Sequence, residues 1–143
     1  MRKNFHEIFE EVEKASPLGS MAKVEVLRKN SSPALLDYFR NVYDPNIKFC
    51  VKDIPAYTND KITPIGMSFT SIDQELKRAY LFRDVHPKKP PQLTEQRTKE
   101  LLIQVLENLE GKEATIFADM LHKKIPYPSI NRMLIEIAFP NEI

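Results

Sequence analysis

Apolar residues recur at three- and four-residue intervals along most of this chain, and that period predicts helices. Phe5, Ile8, Phe9 and Val12 form one stripe, with Glu7, Glu10, Glu11 and Glu13 outside it. The spacing predicts an amphipathic helix over residues 3–14 with a solvated acidic side, broken by Ser16, Pro17, Leu18 and Gly19. A second helix starts at Ser20, turns Val24 and Leu27 inward and ends near Asn30. Ser32 then caps a helix whose first position is Pro33, where a missing N–H costs nothing. Its expected buried positions are Leu35, Leu36, Phe39, Val42 and Tyr43, and it stops before Asp44 and Pro45, because a residue preceding proline is pushed out of the α region.

The period is lost over residues 44–70. The FCVKDIP segment is too short and too proline-bounded for a central strand, and Pro55, Pro64 and Gly66 mark turns. Phe49, Val51, Ile54 and Tyr57 are expected to tuck against the helices. Ser71 begins the next helix, with Gln74 placed for a capping box and Ile72, Leu76, Ala79 and Tyr80 inward. A proline- and lysine-rich loop over 84–93 follows. Thr94 caps a long helix carrying Leu102, Val105, Leu106 and Leu109. Gly111 separates it from a helix with Ala114, Phe117, Ala118 and Leu121 on one face. The last helix is expected to open after Pro128, capped by Ser129, with Ile130, Met133, Leu134 and Ile137 inward and Phe139 and Pro140 closing it. The expected fold is an all-α, single-domain bundle of seven short helices over residues 1–143, with one long irregular connection.

Composition narrows the function classes. The 143 residues are 42% hydrophobic and 29% charged, ordinary for a globular protein. With 21 basic and 20 acidic residues the formal charge is +1, so phosphate binding would require basic groups segregated on one face. Cys50 is the only cysteine, which excludes an internal disulfide and a multi-cysteine zinc site. Neither a secretory leader nor a membrane-spanning apolar run is present, which predicts a cytoplasmic protein with no membrane partner.

No catalytic constellation accompanies this pattern. With glycines only at 19, 66 and 111, no glycine-rich phosphate loop forms, and zinc-protease and nucleophile-elbow motifs are missing. His6, His86 and His122 fall on separate elements. The expectation is a non-enzyme without cofactor or metal. The candidate surface is instead basic: Lys88 and Lys89 in one proline-stiffened loop, Lys123 and Lys124 in another that leads through Pro126, Tyr127 and Pro128 to Ser129. A helix start flanked by lysines offers free N–H groups and a positive dipole end to a phosphate.

The run from Leu101 through ADML, the lysine pair, Ser129, Ile130 and Asn131 to the closing AFPNEI resembles the amino-terminal DNA-binding domain of phage-type ATP-dependent DNA ligases. The earlier stretch KVEVLRKNSSPALLDYFRNVYDPNIKFCVKDIP looks like the same domain in the same order. The chain is also similar to small tailed-phage proteins that carry this domain alone. The resemblance implies a ligase-like helical fold and a non-catalytic accessory protein in the host cytoplasm. Such a protein would grip double-stranded DNA by its backbone, without sequence specificity, through Lys123, Lys124, Ser129, Asn131 and Arg132, helped by Lys88 and Lys89. Two departures stand out. Pro126, Tyr127 and Pro128 replace the glycine of the ligase loop, and the Lys-x-Asp-Gly adenylation motif is missing, so nick sealing is not expected. The competing expectation is an adaptor for a phage replication, host transcription or virion protein, anchored at Tyr57, Ile62 and Met67 or at Tyr127.

Overall fold

The computed structural model describes residues 4–57, 71–109 and 111–140. Seven α-helices run through them: α1 (Phe5–Ala15), α2 (Ser20–Lys29), α3 (Pro33–Tyr43), α4 (Ile72–Leu76), α5 (Glu95–Asn108), α6 (Gly111–Leu121) and α7 (Arg132–Ala138). Two 3-10 turns, Ser16–Leu18 and Ala79–Phe82, join them. The described residues are thus all-α; their only β pairing is an isolated antiparallel bridge between Phe49 and Arg83.

Local chemistry sets most of the boundaries. Ser32 Oγ accepts the Leu35 N–H at 3.2 Å and Thr94 Oγ1 accepts that of Arg97 at 3.0 Å, each satisfying a donor the helix leaves free. Between α1 and α2 the chain reverses at Gly19, whose φ of +102° is open to glycine but strained for other residues. No neighbour crowds that position, so the requirement is conformational.

Helix α6 is the hub. It packs against α1, α3, α4 and α5. Its buried residues, Ala114, Ile116, Phe117, Ala118, Met120 and Leu121 among them, lie on nearly every side, the pattern of a helix enclosed by others. The buried apolar side chains form one cluster, with Phe5, Phe9, Tyr38 and Phe39 meeting edge-on or tilted at 5.4–6.0 Å. Phe49, Val51, Ile54 and Tyr57 pack half-buried against it, as their spacing predicts. The expected turns at Pro64 and Gly66 lie outside the described residues.

Five inward assignments are revised. Leu36 and Tyr43 are half-buried, and Tyr38 and Asn41, which the expected stripe leaves out, are buried instead. The helix from Ser71 ends at Leu76, and the following 3-10 turn rotates Phe82, rather than Tyr80, into the core. The last helix starts at Arg132, so Ile135 and Ala138 turn inward with Leu134, while Met133 is 71% and Ile137 45% exposed. Two buried carboxylates went unforeseen. One of them, Glu113 on α6, accepts the Phe5 and His6 N–H groups at 2.8 and 3.3 Å and so caps α1 from across the bundle; the other is Glu75.

Candidate binding surface

The loop after α6 begins with a helix-ending motif. The Lys123 N–H donates to the Met120 carbonyl and that of Lys124 to the Asp119 carbonyl, both at 2.9 Å, while Lys123 sits at φ +60°. That is the Schellman arrangement, with lysine in the left-handed place where glycine is usual. The left-handed conformation costs a side-chain-bearing residue roughly 1–2 kcal/mol, and the ammonium group offsets it. Lys123 Nζ donates to the carbonyls of Asn41, Asp44 and Ile47 at 2.6, 3.0 and 2.7 Å. It also lies 5.6 Å from the centre of the Phe49 ring. Cations suit this end of a helix, where the last carbonyls lack intrahelical partners. Burial pushes Lys123 below the ordinary lysine value; Asp44 opposes that shift and Arg83 adds to it.

Ser129 is engaged as well. Its N–H and its hydroxyl donate to the two Glu13 carboxylate oxygens at 3.0 and 2.9 Å, and its carbonyl accepts from Lys23 Nζ at 3.1 Å. A carboxylate of α1 thus occupies the donors predicted for a phosphate. Ser129 does not cap α7. Asn131 does, its Oδ1 accepting the Leu134 N–H at 2.8 Å. The Ile130 N–H donates to the Tyr127 carbonyl at 3.1 Å, closing a turn around Pro128, and the helix begins two residues later than expected. Tyr127 packs half-buried, edge-on to Phe9 at 5.4 Å.

Arg132 pairs with Glu136 at 3.0 Å on the exposed side of α7, and Lys124 is exposed. In the other loop, Lys89 Nζ donates to the Arg83 carbonyl at 2.6 Å and lies 3.7 Å from Cys50 Sγ, whereas Lys88 is exposed. Of the seven predicted residues, Lys123, Ser129, Asn131 and Lys89 therefore hold the fold together, and Lys124, Arg132 and Lys88 face solvent. The two basic loops do converge. Lys123 bonds Asn41 and Ile47, and Lys88 lines a cavity of about 290 Å³ bounded by those same two residues. Arg40, Lys77, Tyr80, Arg83 and His86 complete its polar wall. Sequence reading missed this cleft, although the basic positions 77, 83 and 88 stand out once the 3-10 turn at Ala79–Phe82 brings them to one side.

Arg28 was missed too. It donates from Nε and Nη2 to the carbonyls of Ala138 and Ile137, both at 3.0 Å, clamping the end of α7 onto α2. No helix among the described residues is long and apolar enough to cross a membrane. No protein-family model matches the chain, and neither a curated protein nor a solved structure is significantly similar to it.

Proposed function

We propose that this chain is a non-catalytic adaptor that binds another protein through the outward face of α7. The supporting observation is the exposure of Met133 and Ile137, one helical turn apart, on a helix held at both ends. Asn131 and the Glu13–Ser129 contact fix its start, and Arg28 fixes its end. An apolar pair on a preordered helix binds a complementary groove with little further loss of conformational entropy. Unlike Met133 and Ile137, the anchors inferred from sequence at Tyr57 and Tyr127 are half-buried in the fold, and Ile62 and Met67 lie outside the described residues.

The ligase resemblance supports a second reading, a grip on duplex DNA by a ligase-like fold. Four of its seven donors and caps are committed internally, and the formal charge is +1, so the adaptor is the better supported of the two. Affinity capture with the full chain from nuclease-treated lysate of its host cells tests both. A partner held by the parent protein and lost with Met133→Asp and Ile137→Asp is expected. Capture that disappears with nuclease, or that these substitutions leave intact, would overturn the adaptor reading. A salt-sensitive duplex gel shift weakened by Lys124→Glu and Arg132→Glu would establish the DNA grip instead.

A further inference from the structure

We infer that the cleft between the end of α3, the Ala79–Phe82 turn and the loop through His86 and Lys88 is an oxyanion site that takes a single phosphate group. Its charge is one-sided. Arg40, Lys77, Arg83 and Lys88 line it, and the one acid among the lining residues, Asp37, is already paired with Arg40 at 2.9 Å. Among the described residues Lys77 and Lys88 have no side-chain partner, and Arg83 has no ion pair.

The Arg83 guanidinium marks the place. Its Nε is shielded from solvent with no hydrogen-bond partner among the described residues, and its Nη2 reaches only Asn41 Oδ1, at 3.5 Å. With no ion pair among the described residues to offset its charge, the guanidinium favours an oxyanion beside the N–H groups that remain within reach of the cleft. A planar fork of N–H donors fits phosphate oxygens two at a time. The charge of Arg83 also disfavours that of the Lys123 ammonium, a repulsion that an anion between α3 and the turn relieves.

His86 is set for the same task. Its Nδ1 accepts the Lys88 N–H at 3.1 Å, which places the proton of the neutral ring on Nε2 and leaves that N–H to donate. The ring lies against Tyr80, 5.0 Å between centres, which holds it in place. At about 290 Å³ the cleft is at the small end of ligand sites, the size for one anionic group and a little more. A duplex grip needs donors spread along a strand; this site concentrates them at one point. The inference is independent of the α7 surface.

Titration of the full chain with inorganic phosphate and with pyrophosphate at low ionic strength, followed by amide NMR, tests it. Saturable binding is expected, with the Arg83, His86 and Lys88 amides shifting. The pair Lys77→Gln and Lys88→Gln, whose side chains support nothing else among the described residues, should weaken it by about tenfold with an unchanged melting temperature. Arg83→Gln should weaken it at least as much. Single-stranded oligonucleotides with and without a 5′-phosphate identify the source. Displacement of pyrophosphate by the phosphorylated one alone assigns the group to a nucleic-acid end, and displacement by neither assigns it to a small phosphorylated compound. Displacement by both alike overturns the single-phosphate site. So does a lack of saturation at millimolar pyrophosphate, or equal binding by the Lys77→Gln, Lys88→Gln protein.

Discussion

Lys123→Met tests how this fold uses its basic loop. The ammonium holds three carbonyls at 2.6–3.0 Å. Asp44 O keeps the Ile47 N–H as a partner at 3.1 Å, but the carbonyls of Asn41 and Ile47 lose theirs. An unsatisfied buried carbonyl costs about 1–3 kcal/mol, and water reaches this half-buried site in part, so the loss should be roughly 2–4 kcal/mol. Unfolding entropy near 2.1 cal/mol/K per residue gives about 0.3 kcal/mol/K for this chain, hence a fall in melting temperature of roughly 7–13 °C. Circular-dichroism melting and urea titration of the two proteins measure it. Lys123→Gly removes the same bonds but frees the backbone at φ +60°, so it should recover about 1 kcal/mol of the loss. A Met variant melting within about 2 °C of the parent would refute the clamp, and a Gly variant no better than Met would refute the strain. The result also bears on DNA binding, because a weakened gel shift in Lys123→Glu would report a damaged fold and not a missing phosphate contact.

Other substitutions separate the remaining internal contacts. Glu113→Ala strands the Phe5 and His6 N–H groups and should cost roughly 2–4 kcal/mol in urea, while Glu113→Gln, which keeps an acceptor, should cost less. Tyr38 is buried with no partner for its hydroxyl among the described residues, so Tyr38→Phe should be neutral or stabilising by up to about 2 kcal/mol at pH 7. Burial, with Tyr43, Asp119, Glu113 and Tyr127 adding, raises that phenol well above its ordinary value. The folded state therefore holds the proton more tightly. Its contribution is complete below about pH 10, where an unfolded tyrosine ionises, and is lost as pH rises further; melting between about pH 9 and 11 should show this loss in the parent and less of it in Tyr38→Phe. Asn131→Ala should lower stability by about 1 kcal/mol as the lost cap of α7, measured by thermal melting. Met133→Ser and Ile137→Ser should each change stability by less than about 0.5 kcal/mol, since neither side chain belongs to the core.

What the chain alone determined is local. A period near 3.6, a serine before Pro33, Thr94 before α5 and the prolines that end segments depend on residues a turn or less apart, so the all-α class and most helix boundaries were legible. The stripes Phe5, Ile8, Phe9 and Val12, and Leu102, Val105 and Leu106, are buried as their spacing predicts. Errors arose where register depended on a neighbour. A start at Ser129 would turn Met133 and Ile137 inward; Glu13 draws Ser129 onto α1, Asn131 becomes the cap, and Ile135 and Ala138 take the core. The partners of Lys123, Glu13 and Glu113 were decided only by tertiary structure. Lys123 and Lys124 are adjacent and chemically alike, yet one clamps α3 and the other meets solvent, because only the first extends from a left-handed residue toward the open carbonyls of another helix. Helix period is encoded over four residues, whereas the Lys123 clamp, the Glu113 cap and the Glu13–Ser129 contact join residues 76 to 116 positions apart, and only packing brings those ends together.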